Sequence, residues 1–150
     1  EAAEALAWLQ ATSGTDAQSA RVWLQAAGGR PDDALAWAQA GLPAEAWQRL
    51  PRAIAQGDFA ALADWGPLRQ LEVQQKLCHD LMAQASQAEP RFFPASSLPV
   101  VAPRWGILAR WSRELMQAAR SVEHPYSPGL MQEAWAARAR EVLAPGKRLA

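Results

Sequence analysis

Residues 104–143 read RWGILARWSRELMQAARSVEHPYSPGLMQEAWAARAREVL, and the reading of this stretch decides the fold. At 100° per residue, Leu108, Trp111, Leu115, Ala118, Ala119 and Val122 gather within about a third of a helix circumference. A turn spelled His124-Pro125-Tyr126-Ser127-Pro128 follows. Ser127 before Pro128 is a helix start: a hydroxyl can accept from exposed first-turn N–H groups, and proline at the first position has no N–H to leave unsatisfied. The second arm runs almost to the C-terminus. Both arms carry apolar stripes too wide for a free hairpin, so both must pack on what precedes them. Arg138 falls within the second stripe, among Met131, Ala134, Trp135 and Val142. A guanidinium there needs carboxylate or carbonyl partners, within the chain or across a subunit interface.

Working outward, the chain is alanine-rich and poor in β-branched residues, which favours helices over sheet. An all-α fold is expected. Glu1 to Gln10 predicts a helix ended by Thr12-Ser13-Gly14-Thr15. Asp16 caps a second, stopped by Gly28-Gly29, and Pro31-Asp32-Asp33 open a third that stops at Gly41. Residues 1–41 then form a three-helix unit, with Leu42-Pro43 as the boundary. Residues 42–150 hold about five helices. The first starts at Ala44 and should kink or break at Pro51. A short one spans Phe59 to Trp65. The longest opens at Pro67 and reaches about Ala88, with Leu68, Leu71, Cys78, Leu81, Met82 and Ala85 inward, the face widened by Val73 and Leu77. Arg69, Glu72, Lys76, His79 and Asp80 form its solvated face, with pairs Glu72–Lys76 and Lys76–Asp80. The proline-rich segment 89–103 is expected to run over the surface.

Fifteen basic and fifteen acidic residues give no net charge, and hence no autonomous grip on nucleic acid or an anionic membrane. Eight tryptophans on a neutral chain favour protein partners. Cys78 is the only cysteine, so an internal disulfide is impossible and a cytoplasmic setting is expected. No phosphate loop, zinc spacing or His-Glu-x-x-His pair is present, so no catalytic residue, cofactor or metal is assigned. Cys78 and His79 point about 100° apart on a helix and make a poor nucleophile–base pair. Asp32-Asp33 reads as a helix start, and His124 as a helix-end residue. Arg110, Arg113 and Arg120 read as a solvated face or as salt-bridge partners rather than a nucleic-acid site.

Two stretches carry a resemblance. Glu123 to Trp135, with Arg138 a turn later, resembles the last helix hairpin of bacterial clamp-loader subunits, with Ser127 where asparagine is commoner. Ala27-Gly28-Gly29-Arg30-Pro31-Asp32-Asp33-Ala34-Leu35-Ala36 resembles the end of an AAA+ lid, where ATP-hydrolysing members carry Gly-Ser-x-Arg-Asp-Ala-Leu. Asp32 stands at the sensor arginine's place, a departure similar to the delta-prime family of DNA polymerase III clamp-loader subunits. The resemblance implies that residues 1–41 are the remnant of a lid in a fragment of a longer protein. It implies that 42–150 are a helical collar domain that oligomerises with other loader subunits in a pentameric ring. It implies no catalysis, nucleotide, direct DNA binding, membrane or small-molecule substrate. Trp105, Trp111 and Arg138 are the interface candidates. The competing expectation is a stand-alone helical adaptor that binds a peptide or protein in a groove lined by Trp and Leu.

Overall fold

The computed structural model describes residues 1–100, 104–122 and 127–145. These form seven α-helices: α1 (Ala2–Ser13), α2 (Ala17–Ala26), α3 (Pro31–Ala38), α4 (Ala44–Ala55), α5 (Pro67–Ala85), α6 (Trp105–Ser121) and α7 (Pro128–Val142). Short 3-10 turns at Ala60–Leu62 and Ala95–Ser97 complete them, and no strand occurs among the described residues. The all-α expectation holds. Where Phe59 to Trp65 was expected to be a short helix, only that first three-residue turn forms.

The early helix boundaries follow local chemistry. Asp16 accepts from the Ser19 N–H at 2.7 Å and starts α2. Gly14 ends α1 in the left-handed conformation, at φ 72°. Gly28 and Gly29 both have positive φ, and Gly29 N–H closes back on the Leu24 carbonyl at 2.8 Å. Gly28 is constrained a second way, because a Cβ there would meet Phe92 at 3.2 Å and Arg91 Nε at 3.0 Å.

The core does not divide at Leu42-Pro43. Trp23 of α2 stacks near-parallel on Trp37 of α3 at 6.5 Å. Both rings meet Trp47 of α4, at 5.7 and 5.0 Å, and Trp47 stacks on Phe93 at 4.5 Å. Trp65 closes the edge against Trp37 at 5.5 Å and donates its indole N–H to the Ala40 carbonyl at 3.1 Å. The chain turns at Pro43, but one aromatic seam runs across the turn. Pro51, expected to kink or break α4, does not break it: it lies buried inside a helix that continues to Ala55. Ala44, Trp47, Leu50 and Ile54 bury the same side, and that packing outweighs the hydrogen bond proline cannot give to the Trp47 carbonyl.

α5 is the central helix. Lys76 and Asp80, expected on its solvated face, are 6% and 0% exposed. Asp80 takes three backbone N–H bonds, from Arg91 at 2.8 Å, Phe92 at 2.9 Å and Phe93 at 2.8 Å. Segment 89–100 therefore runs over the surface, as expected, but is docked on the bundle by Phe93, Ser97 and Leu98, which are buried, while Glu89, Arg91, Ala95, Ser96 and Val100 are exposed. Lys76 donates to the Ala26 carbonyl at the end of α2 at 2.8 Å, lies 4.0 Å from the Phe92 ring centre, and stands 3.9 Å from Glu72. Burial lowers its pKa, partly offset by Glu72.

Candidate interaction surface

The C-terminal hairpin closes the bundle. α6 lies along α5 through Leu108, Trp111 and Leu115, all buried. α7 leans chiefly on α4. Gly57, just beyond α4, has φ 76°, and a Cβ there would come within 3.2 Å of the Ala136 carbonyl. Ala139 and Leu143 are the fully buried residues of this last segment, with Trp135, Ala136 and Val142 partly covered. The inward face is thus rotated by a little under one residue step from the expected one, and Ala134 is exposed. Ser127 occupies the N-cap with Pro128 behind it, but its hydroxyl makes no capping bond. The readings placed on Glu123, His124, Pro125 and Tyr126 lie outside the described residues.

Arg138 lies at the rim of the inward face and grips Glu114 of α6 with both forks of the guanidinium. Nε and Nη2 each donate to a Glu114 oxygen at 2.8 Å, and Nη1 reaches Glu141 at 3.0 Å. The Arg138 hydrogen bonds hold the Glu114 carboxyl below the ordinary carboxylate range, and Glu114 in turn raises the guanidinium pKa. Of the two partners foreseen for Arg138, the intramolecular one is present. Trp111, foreseen as an interface residue, is 1% exposed. It faces α5 and cannot meet a partner while the fold is intact, because it belongs to the same stripe as Leu108 and Leu115. Trp105 is 51% exposed.

Other large apolar side chains lie open: Met116 at 52% and Leu130 at 69% on the hairpin, and elsewhere Val100, Trp8 and Leu68, the last expected on the inward face of α5 but 55% exposed. A groove of about 560 Å³ lies between α5 and the docked segment, with Arg52, Leu81, Leu98 and Leu108 in its wall. It is not the tryptophan-lined groove that an adaptor would predict, since Trp23, Trp37 and Trp47 all face the core.

The residues with reactive side chains are separated or engaged. Cys78 is buried, its thiol directed at the Leu108 carbonyl at 3.3 Å, and burial pushes its pKa up to about 12. A thiol held neutral is a poor nucleophile. His79 points outward from the next position, its Nδ1 3.1 Å from the Asp80 carboxylate. Asp33 pairs with Arg30 at 2.8 Å, while Asp32 is exposed. No cluster of three metal-ligating side chains occurs among the described residues, and no described helix is long and apolar enough to cross a membrane.

The residues missed from sequence are Asp80 and Lys76. The signal was present: seven residues separate Val73 from Asp80, which places them about 20° apart on the same side of α5. Comparison with known proteins finds no family model, curated protein or solved structure that matches the chain.

Proposed function

We propose that this chain is a non-catalytic assembly module of the kind that forms the collar of the bacterial DNA polymerase III clamp loader, in a delta-prime-like, cytoplasmic role. Supporting this reading is one observation above all: three large apolar side chains of the α6–α7 hairpin, Trp105, Met116 and Leu130, each leave half or more of their surface exposed. Apolar side chains of that size kept in water are a feature of protein-binding faces. The resemblance of Glu123–Trp135 to the loader hairpin supplies the identity of the partners. The Arg138–Glu114 clamp would fix the angle between α6 and α7, so that the hairpin meets a neighbour as a rigid body.

Sedimentation velocity tests the proposal. Mixed at about 10 µM with the motor subunits of a bacterial clamp loader, the chain should move as a larger hetero-complex, and Leu130→Glu should weaken that complex. Independent sedimentation of both components at this concentration would refute the reading.

A further inference from the structure

The exposed arc of α6 is uneven in its chemistry. Trp105, Ala109, Ser112 and Met116 fall on one line along the helix, within about 40° of Trp105. The two ends of the line stand out into solvent, Trp105 at 51% and Met116 at 52% exposure, while the small Ala109 and Ser112 between them are half-buried. Two large apolar side chains about three turns apart, roughly 16 Å, therefore bracket a shallow dip. Arg120, Arg113 and Arg110 follow along one flank, about 60 to 140° around from Trp105, and all three are exposed. Glu114 stands at the far edge of that arc with both carboxylate oxygens held by Arg138. The flank is left positive, and among the described residues Arg110 and Arg113 form no ion pair.

We infer that this face of α6 docks an acidic amphipathic helix of a partner protein, whose apolar stripe fills the dip between Trp105 and Met116 and whose carboxylates line one edge only. The inference rests on the assembly reading and deepens it by naming the partner's chemistry. Trp105 is the anchor, and Met116 is the adaptable wall. The arginines set register and speed encounter, and the small residues let a second helix approach closely. Charge complementarity selects the occupant. A polyanion such as duplex DNA would use the arginines but leave the Trp105–Met116 line idle, and a chain of zero net charge offers it no long-range pull. α6 is already held on its other side by Leu108, Trp111 and Leu115, so little ordering is needed on docking.

The test uses fluorescence anisotropy with three probes. One is a labelled synthetic helix of about 16 residues, with leucines at i, i+4, i+7 and i+11 and glutamates along one flank. The others are a scrambled peptide of the same composition and a short DNA duplex. The designed helix should bind at least tenfold tighter than the scrambled one. Trp105→Ala and the double variant Arg110→Glu/Arg113→Glu should each weaken it about tenfold. Salt should weaken binding to the wild type more than to the charge-reversed chain. All these side chains are exposed, so far-UV circular dichroism should be unchanged. Failure of the designed helix to bind, equal binding of the scrambled peptide, or tighter binding of the duplex would overturn the inference. Loader subunits that still associate fully with Trp105→Ala and the charge-reversed chain, in the face of such a failure, would leave the assembly reading standing without it.

Discussion

Trp47 has no exposure to solvent and touches three aromatic rings from three other segments, whereas half of Trp105 lies in water. The same side chain is used in opposite ways at the two ends of the chain. Around α2, α3, α4 and the docked segment, tryptophans weld non-adjacent pieces together through several rings. In the α6–α7 hairpin the inward packing is thinner, α7 contributes Ala139 as its one fully buried helical residue, and a surface ion pair adds the remaining constraint. The hairpin keeps Trp105, Met116 and Leu130 exposed on two successive helices, whereas Trp8, Leu68 and Val100 lie open singly on three separate segments.

Breaking the weld should have the largest effect. Trp47→Ala removes the ring at the centre of the seam and is expected to cost about 3–5 kcal/mol in urea denaturation. Helices on both sides of Pro43 should melt together. If α1–α3 instead melted separately, the boundary at Leu42-Pro43 would be a division of the core after all. Next comes Asp80→Ala, which strands three backbone N–H groups and should cost about 3 kcal/mol. Hydrogen exchange should speed up at Arg91, Phe92 and Phe93 before it does so in α6.

The third change has the opposite sign. Gln74 is fully buried in the wall between α5, α6 and α7, and its Oε1 has no hydrogen-bond partner among the described residues. Gln74→Leu removes that unpaired group at similar volume and should raise stability by about 1 kcal/mol, read as a higher urea midpoint at unchanged slope. Smallest is Arg138→Ala. The Glu114 side chain is 39% exposed, so solvent screens the pair and the loss should be under about 1 kcal/mol. Its pH dependence has a definite sign. Because the folded-state pKa of Glu114 is lowered, the contribution is complete above the ordinary carboxylate pKa and is lost as pH falls through the lowered one. Wild type and Arg138→Ala should therefore converge in stability under acid conditions and differ at neutral pH.

Much of this was legible in the residues. Helix stops at Gly14 and Gly28, the cap at Asp16, and the inward stripe of α6 follow from local rules that tertiary packing did not override, whereas α3, expected to reach Gly41, ends at Ala38. The failures share one cause, which is long-range contact. Asp80 was assigned to a solvated face because charged residues usually are. Nothing local announces that the backbone of residues 91–93 will bring it three donors, although its nearness to Val73 on the helix was a hint. Local chemistry predicts a kink or a break at Pro51; the helix does not break, because the burial of Trp47 and Ile54 on the same side holds it together. Gly28 and Gly57 were legible as helix ends, but not as the places where the docked segment and α7 come close. In the hairpin, Arg138 announced itself by a charge on an apolar stripe, and its partner Glu114 lay on the helix before it. Trp111 reads both as part of the inward stripe of α6 and as an interface residue, and its 1% exposure bears out the stripe; Trp105, outside that stripe, stays open to solvent.

Hydrogen–deuterium exchange of the chain with and without clamp-loader motor subunits tests most directly whether the hairpin is the surface kept for a partner. Slower exchange across α6 and α7 in the complex, with α1–α3 unchanged, is the predicted result. Protection confined to residues 1–41, or a complex that leaves the hairpin's exchange untouched, would contradict it.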